Sequence, residues 1–113
     1  MNVLVVEDDS FVREMAVAGL EDAGFEVIEA TSGGEALELL QAGITLDALL
    51  TDIRLPGADG WAVAKAYRER FPDLPVLYVT GYVEQMQPVP GGIIVSKPYR
   101  MAQVIGVLET CVA

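Results

Sequence analysis

Residues 49–60 read "LLTDIRLPGADG", an apolar run that stops at an aspartate and passes into a stretch with one proline and two glycines. The leucines and threonine are typical of a short buried strand, and the proline and glycines are typical of the loop that follows it. Asp52 therefore stands where a strand gives way to a loop. It is too early in the chain to cap the helix predicted to begin near Asp59, so we expect its carboxylate to be available for chemistry.

Four further segments have the same strand character, being short, rich in β-branched residues or leucine, and bounded by turn residues. The five predicted strands are "NVLVV" at 2–6, "FEVIEA" at 25–30, "LDALLT" at 46–51, "PVLYVT" at 75–80 and "GGIIVS" at 91–96. The segments between them have the apolar spacing of helices, and "SGGE" at 32–35 is typical of a capping box. Strands that alternate with helices predict a parallel sheet covered on both faces.

Composition limits the class of protein. The chain has 113 residues, of which 52% are hydrophobic, so we expect one domain over residues 1–113 with one core. No apolar run approaches the roughly 20 residues of a membrane-spanning helix, and the first strand begins too close to Met1 for a secretory signal. We expect a cytoplasmic protein with no membrane segment. The formal net charge of −10 opposes binding to a phosphate backbone, so we expect no direct binding of nucleic acid.

Polar residues follow the predicted strands. Glu7 and Asp8 follow the first strand, Asp52 the third, and Thr80 and Lys97 end or follow the fourth and fifth. In open parallel sheets, ligands bind beyond the carboxyl ends of the strands, where the strand order reverses. If the first and third strands are neighbours, three carboxylates converge and repel one another unless a cation compensates their charge. Oxygen donors favour Mg²⁺, and a chain without histidine disfavours zinc.

Each of these residues also has an ordinary structural explanation. Asp9 and Asp59 suit the caps of the helices that follow them, and a threonine such as Thr80 is common at a strand end. A lysine is usually solvated. Lys97, however, is one of only two lysines in the chain and lies between an apolar strand and Pro98, which favours a functional role.

The sequence resembles the receiver domain of two-component response regulators over essentially its whole length. "VVEDD" at 5–9 resembles the acidic pair of that family, and "DIRLPGADG" at 52–60 resembles its phosphoacceptor loop. Thr80 and "KPY" at 97–99 match its threonine and lysine–proline positions. The resemblance implies a flavodoxin-like (βα)5 three-layer sandwich with a five-stranded parallel sheet of order 2-1-3-4-5. It also implies a signalling module and not an enzyme.

The resemblance further implies a role for each site residue. Asp52 is the implied phosphoacceptor, and Thr80 and Lys97 are implied to contact the phosphoryl group. The implied Mg²⁺ ligands are all oxygen donors, and they are Glu7, Asp8, Asp52 and the backbone carbonyl of Arg54. The Lys97–Pro98 peptide bond is expected to be cis. The implied phosphodonor is a histidine kinase or a histidine phosphotransfer protein.

The segment between Thr80 and Lys97 departs from the family pattern. It is shorter than usual and contains two prolines and three glycines, so we expect a shortened or irregular fourth helix. "YVTGY" at 78–82 resembles the Phe-Ala-Thr-Gly-Tyr variant of some single-domain receivers with a reduced fourth helix. The family's aromatic switch position holds Ile94, so Thr80 and Tyr82 are the predicted switch residues.

The same segment is the predicted output region. We expect residues 81–92 to be poorly ordered, with few buried contacts, and to change on phosphorylation. A downstream protein partner is expected to bind this loop together with the last helix, whose sequence carries few charges.

Two other classes of function stay open. A metal-dependent phosphohydrolase would also use an aspartate nucleophile, but that class usually has a second acid two residues later, where this chain has Arg54. A phosphate-independent interaction module would need none of the site residues, all of which are present.

Overall fold

The protein is described here by a computed structural model covering residues 1–81 and 86–112. In chain order, the elements are β1 (Asn2–Val6), α1 (Ser10–Asp22), β2 (Glu26–Ala30), α2 (Gly33–Gln41), β3 (Ala48–Asp52), α3 (Gly60–Arg70), β4 (Val76–Thr80), β5 (Ile93–Ser96) and α4 (Met101–Val112). The strands form one parallel sheet of order β2-β1-β3-β4-β5. This confirms the predicted flavodoxin-like fold.

Both faces of the sheet are covered by helices. Neighbouring strand residues point to opposite faces, and Leu49 and Leu50 of β3 accordingly belong to two separate apolar clusters. The cluster around Leu49 contains Val63 and Tyr67 of α3, whereas the cluster around Leu50 contains Leu108 of α4. The three layers of the predicted sandwich are therefore present, with β3 buried along its whole length.

The first three helices begin at polar caps. The side chains of Asp9, Ser32 and Asp59 each accept a hydrogen bond from the backbone N–H three residues later, at 3.1, 3.1 and 2.9 Å respectively. The structural explanation of Asp9 and Asp59 as caps is thus correct. These caps fix where each helix begins after its strand, and so fix the short loops at the carboxyl edge of the sheet.

The apolar spacing correctly predicted which segments are helices. It was a poorer guide to which side chains of those helices are buried. In α1 the buried residues are Ala16 and Leu20, whereas the apolar side chain of Met15 is 56% exposed. None of the helices in the described ranges is long and apolar enough to cross a membrane.

The described part of the link between β4 and β5, residues 86–92, is held by hydrogen bonds to β4 and α3. Residues 86–92 contain no helix, in line with the expected reduction, and Tyr82 lies outside the described residues. Val89 is buried, and its N–H donates to the Tyr78 hydroxyl at 3.0 Å. The Pro90 carbonyl accepts from Nη1 of Arg68 at 2.7 Å. Val89 is the one buried residue of 86–92, so the prediction of few buried contacts holds for this part, although a tyrosine on β4 and an arginine on α3 still hold it by hydrogen bonds.

The Asp52 loop packs against the start of α2. A Cβ atom added to Gly33 would clash with the carbonyl oxygen of Ala58. A Cβ atom added to the adjacent Gly34 would make only an ordinary van der Waals contact. Gly33 is buried and Gly34 is exposed. The absence of a side chain at Gly33 therefore lets the helix and the loop approach closely.

We predict that Gly33→Ala lowers the free energy of unfolding by about 1–3 kcal/mol, because backbone atoms of the loop must move to admit the methyl group. Gly34→Ala is the matched control, and it should be neutral or stabilise by up to about 1 kcal/mol through helix propensity. Urea unfolding of the three proteins measures both effects. Equal stability of the two variants would contradict the proposed close packing.

Candidate functional site

The carboxyl edge of the sheet brings three carboxylates together. Glu7 and Asp8 directly follow β1, and Asp52 is the last residue of β3, the strand beside β1. One carboxylate oxygen from each of the three residues lies within 4.8 Å of the others. Glu7 and Asp52 are buried and Asp8 is exposed, so the cluster has a closed side and a side open to solvent.

Asp52 is held from two directions. Its Oδ1 atom accepts hydrogen bonds from the backbone N–H groups of Ile53 at 2.6 Å and Arg54 at 3.3 Å. Its Oδ2 atom accepts from Nζ of Lys97 at 2.8 Å. The Asp52 backbone carbonyl accepts from the Thr51 hydroxyl at 2.8 Å. The turn after β3 therefore orients the carboxylate through its own amides.

Lys97 spans the two buried carboxylates. Its Nζ atom lies 2.8 Å from Asp52 Oδ2 and 2.9 Å from Glu7 Oε1. The lysine side chain is 27% exposed, compared with 4% for Glu7 and 10% for Asp52. The ammonium group thus reaches the cluster from the loop after β5, where the Lys97–Pro98 bond is cis.

The burial of these charges changes their protonation. Burial raises the pKa of Glu7 to about 7, although the hydrogen bond from Lys97 opposes this shift, and the nearby Asp52 carboxylate adds to it. Burial lowers the pKa of Lys97, but its hydrogen bonds to Asp52 and Glu7 outweigh that effect, and the net direction is upward. Lys97 is therefore a permanent cation at neutral pH, whereas Glu7 titrates near it.

Two other predicted site residues, Thr80 and Arg54, also lie at the carboxyl edge of the sheet. Thr80 is the last residue of β4, is 5% exposed, and its carbonyl accepts from the Lys97 N–H at 2.6 Å. Arg54 reaches Asp52 through its backbone N–H, and the role of its carbonyl as a ligand stays a prediction. Tyr82 falls outside the described residues. Ile94, at the position of the family's aromatic switch, is half-buried in β5 and pairs with Tyr78 of β4.

Sequence reasoning missed one charged residue of the site. Arg13 of α1 donates from Nη1 to the Glu7 backbone carbonyl at 2.9 Å and from Nε to Glu29 at 3.2 Å. An arginine in a helix usually points to solvent, so the sequence offered no signal beyond its closeness to Glu7 in the chain.

The donor set fits Mg²⁺. Three carboxylates supply hard oxygen ligands, and an open side leaves room for the waters that Mg²⁺ retains. The chain has no histidine and one cysteine, Cys111, which lies exposed in α4, so nitrogen and sulfur ligands for a softer metal are missing here.

Comparison with known proteins gives one family. The family model "Response regulator receiver domain" matches residues 3–107. The response regulator receiver protein CpdR of Brucella abortus is 31% identical over 112 residues, which cover 95% of this chain and 92% of CpdR. The crystal structure of a response regulator receiver protein from Sinorhizobium medicae superposes with a TM-score of 0.95 at 34% identity, covering 99% of this chain and 94% of that one.

The same similarity extends to a much longer protein. The sensor kinase CckA of Brucella abortus is 39% identical over 83 residues, which are 73% of this chain but only 9% of CckA. The chain thus corresponds to a small part of that relative.

We predict that the metal-free protein loses stability as the pH rises towards 7. The pKa of Glu7, about 7 in the folded protein, lies above its ordinary value of 4.5, so the folded protein retains a proton that the unfolded chain releases. This contribution is complete below pH 4.5 and is lost as the pH rises through 7. Glu7→Gln removes it.

Urea unfolding between these pH values, with chelator present, measures the effect. The free energy of unfolding should fall with rising pH more steeply in the wild type than in Glu7→Gln. Glu14→Gln, which changes an exposed glutamate, is the control and should follow the wild type. Identical slopes for the wild type and Glu7→Gln would contradict the assignment.

Proposed function

The chain belongs to the response regulator receiver family, and from this premise we propose that residues 1–113 form one receiver domain whose Asp52 accepts a phosphoryl group. Receiver domains are signalling modules of two-component systems that interact with histidine kinases or phosphotransfer proteins. The phosphodonor proposed for this chain is a phosphohistidine of such a protein in the cytoplasm. The product is a domain with altered binding to a downstream protein.

The contact that carries this proposal is the bridge from Lys97 to Asp52 and Glu7. A carboxylate attacks an anionic phosphoryl group only when positive charge offsets the repulsion between them. The Lys97 ammonium already touches the Asp52 oxygen, so it is placed to contact a phosphoryl oxygen once that oxygen arrives. An ordinary surface lysine would not lie against two buried carboxylates.

The transfer step uses the residues in defined roles. A lone pair on an Asp52 oxygen forms the new O–P bond while the P–N bond to the donor histidine breaks. The electron pair of that bond returns to the imidazole, which takes up a proton and leaves as part of the donor protein. The Ile53 and Arg54 amides orient the Asp52 carboxylate throughout, and the Thr80 hydroxyl donates to a phosphoryl oxygen.

The proposed cofactor is Mg²⁺, held by Asp8 and Asp52 directly, by Glu7 through water, and by the Arg54 carbonyl. When bound, the ion supplies positive charge to the phosphoryl oxygens as they approach the carboxylates. Among the described residues, three carboxylates converge and Lys97 forms ion pairs with two of them, which leaves Asp8 without a cation and supports a second cation at this site.

An apolar groove beside the site supports the proposed partner. The groove measures about 490 Å³ and runs past Lys97, between the start of α1 and the loop before α4. Phe11 and Met15, one helical turn apart on α1, are 70% and 56% exposed. Large apolar side chains so exposed are typical of a protein-binding surface. We assign this groove to the phosphodonor protein.

The proposed output route runs through Tyr78. This residue is fully buried, lies two positions before Thr80 on the same face of β4, and pairs with Ile94. Its hydroxyl accepts from the buried Val89 N–H at 3.0 Å. The aromatic ring missing from β5 is thus matched by a ring on the neighbouring strand. We add Tyr78 to Thr80 and Tyr82 as a proposed switch residue.

A second contact joins Tyr78 to the phosphoacceptor loop. Its ring centroid lies 4.7 Å from that of Trp61 at an interplanar angle of 56°. Trp61 follows Gly60, whose N–H donates to the Ile53 carbonyl at 2.8 Å. A shift of Thr80 or of the loop after Asp52 therefore reaches the hydrogen bond that holds Val89. Residues 86–92, with the small residues Ala102 and Gly106 on the exposed face of α4, are the proposed surface for the downstream protein.

We predict that Asp52→Asn abolishes phosphorylation, because an amide oxygen is a poor nucleophile. Asp59→Asn is the matched control, since asparagine caps a helix as well as aspartate does. Intact-mass spectrometry after incubation with acetyl phosphate and Mg²⁺ should show one added phosphoryl group in the wild type and in Asp59→Asn, and none in Asp52→Asn. Phosphorylated Asp52→Asn would remove Asp52 from its role. Sustained turnover of p-nitrophenyl phosphate by the wild type would favour the phosphohydrolase.

We predict that Tyr78→Phe uncouples the site from residues 86–92. The variant keeps the ring but leaves the buried Val89 N–H without its acceptor, so exchange of that amide should be faster. Tyr67→Phe is the control, because Tyr67 is equally buried and its hydroxyl donates to the Ala36 carbonyl at 2.7 Å. The measurement is amide hydrogen exchange with and without beryllofluoride and Mg²⁺.

In the wild type and in Tyr67→Phe, beryllofluoride should change the exchange of residues 86–92. In Tyr78→Phe that change should be lost while beryllofluoride still binds. A full response in Tyr78→Phe would rule out the proposed route and leave the phosphoacceptor role intact.

A further inference from the structure

Arg13 is a mostly buried cation that the proposed reaction does not use. Its side chain is 15% exposed, and its guanidinium joins three elements. Nη1 donates to the backbone carbonyl of Glu7, at the end of β1, and Nε pairs with Glu29 of β2 at 3.2 Å. The arginine itself belongs to α1. A charged side chain is rarely withdrawn from water this far without a partner that needs it.

The carbonyl that Arg13 contacts belongs to the peptide group between Glu7 and Asp8. Two other hydrogen bonds also hold this short link. The Glu7 N–H donates to the Ala30 carbonyl at 3.1 Å, and the Asp9 N–H donates to Glu7 Oε2 at 3.4 Å. With Nη1 of Arg13 at 2.9 Å, both the N–H and the carbonyl of Glu7 are fixed. The orientation of the Glu7–Asp8 peptide therefore depends on Arg13.

Asp8 depends on its backbone more than the other two carboxylates do. Lys97 contacts Glu7 and Asp52 directly. Asp8 is exposed, and within residues 1–81 and 86–112 no side chain or amide donates a hydrogen bond to its carboxylate. Its place beside the other two thus follows from the backbone at the end of β1.

We propose that Arg13 is a positioning residue that orients the Glu7–Asp8 peptide so that the Asp8 carboxylate faces the cation site. This inference rests on the proposed function, in which Asp8 is a Mg²⁺ ligand. Residues that hold metal ligands in place commonly change metal affinity by about 10- to 100-fold when they are replaced. Arg13 would act on the ion only through the backbone.

The sign of the effect separates this role from a purely electrostatic one. Arg13→Met keeps the aliphatic stem and removes both the hydrogen bonds and the positive charge. Loss of a cation near the site would by itself strengthen the binding of Mg²⁺. Loss of positioning should weaken it, by about 10-fold. Arg13→Lys keeps the charge but not the forked geometry, so it should also weaken binding.

The experiment is calorimetric titration of Mg²⁺ into the full chain above the pKa of Glu7, at a temperature where every variant is folded. Glu29→Gln is the control, because it removes the outer partner of Arg13 and keeps the contact with Glu7. Its affinity should stay within about twofold of the wild type, since Glu29 is itself half-exposed and the Arg13 contact with the Glu7 carbonyl is kept. Urea unfolding of each variant gives the stability change separately.

Weaker Mg²⁺ binding by both Arg13 variants, with Glu29→Gln unchanged, is the expected result. Unchanged or stronger binding by Arg13→Met would overturn the positioning role, even if that variant is less stable. A wild-type protein that binds no Mg²⁺ would overturn the proposed cofactor and this inference together.

Discussion

The repulsion between carboxylates at the carboxyl edge of the sheet is the constraint on which the rest of the site depends. A parallel sheet with β1 beside β3 forces Glu7, Asp8 and Asp52 together, and two of the three are buried. Buried charges of one sign are stable only if they are neutralised or protonated. The protein does both, because Lys97 lies against Glu7 and Asp52 while burial, with a smaller effect of Asp52, raises the pKa of Glu7 to about 7. Because the negative charge of the carboxylates is only partly neutralised, the site favours the binding of a further cation.

The sequence was sufficient for the fold and for most of the site. Short apolar strands and intervening helices predict the parallel sheet, and polar residues directly after the strands are carried to one edge by the topology. Asp52 and Lys97 could be found in this way because each directly ends or follows an apolar strand. Their direct contact could not, since it depends on how far the loop after β5 lets the lysine side chain reach.

What the sequence did not indicate are individual hydrogen bonds between a side chain of one element and the backbone of another. The Tyr78 hydroxyl and the Val89 amide belong to a strand and an irregular segment with no pattern that relates them. Two prolines and several glycines suggested a loosely held segment, but one buried valine and one arginine from α3 were enough to hold it in place. The sequence of α1 likewise does not distinguish Arg13 from any other helical arginine. Its hydrogen bond to the Glu7 carbonyl is seen only in the structure.

The central claim is that Lys97 and a divalent cation neutralise the same carboxylates, and the most direct test is the stabilisation by Mg²⁺ of the wild type and of Lys97→Met. Urea unfolding with and without saturating Mg²⁺, above the pKa of Glu7, gives both values. At a fixed Mg²⁺ concentration, binding to the folded state raises the free energy of unfolding by an amount that grows with the logarithm of the affinity. A larger stabilisation of Lys97→Met than of the wild type is the predicted result. An equal or smaller stabilisation would contradict the claim.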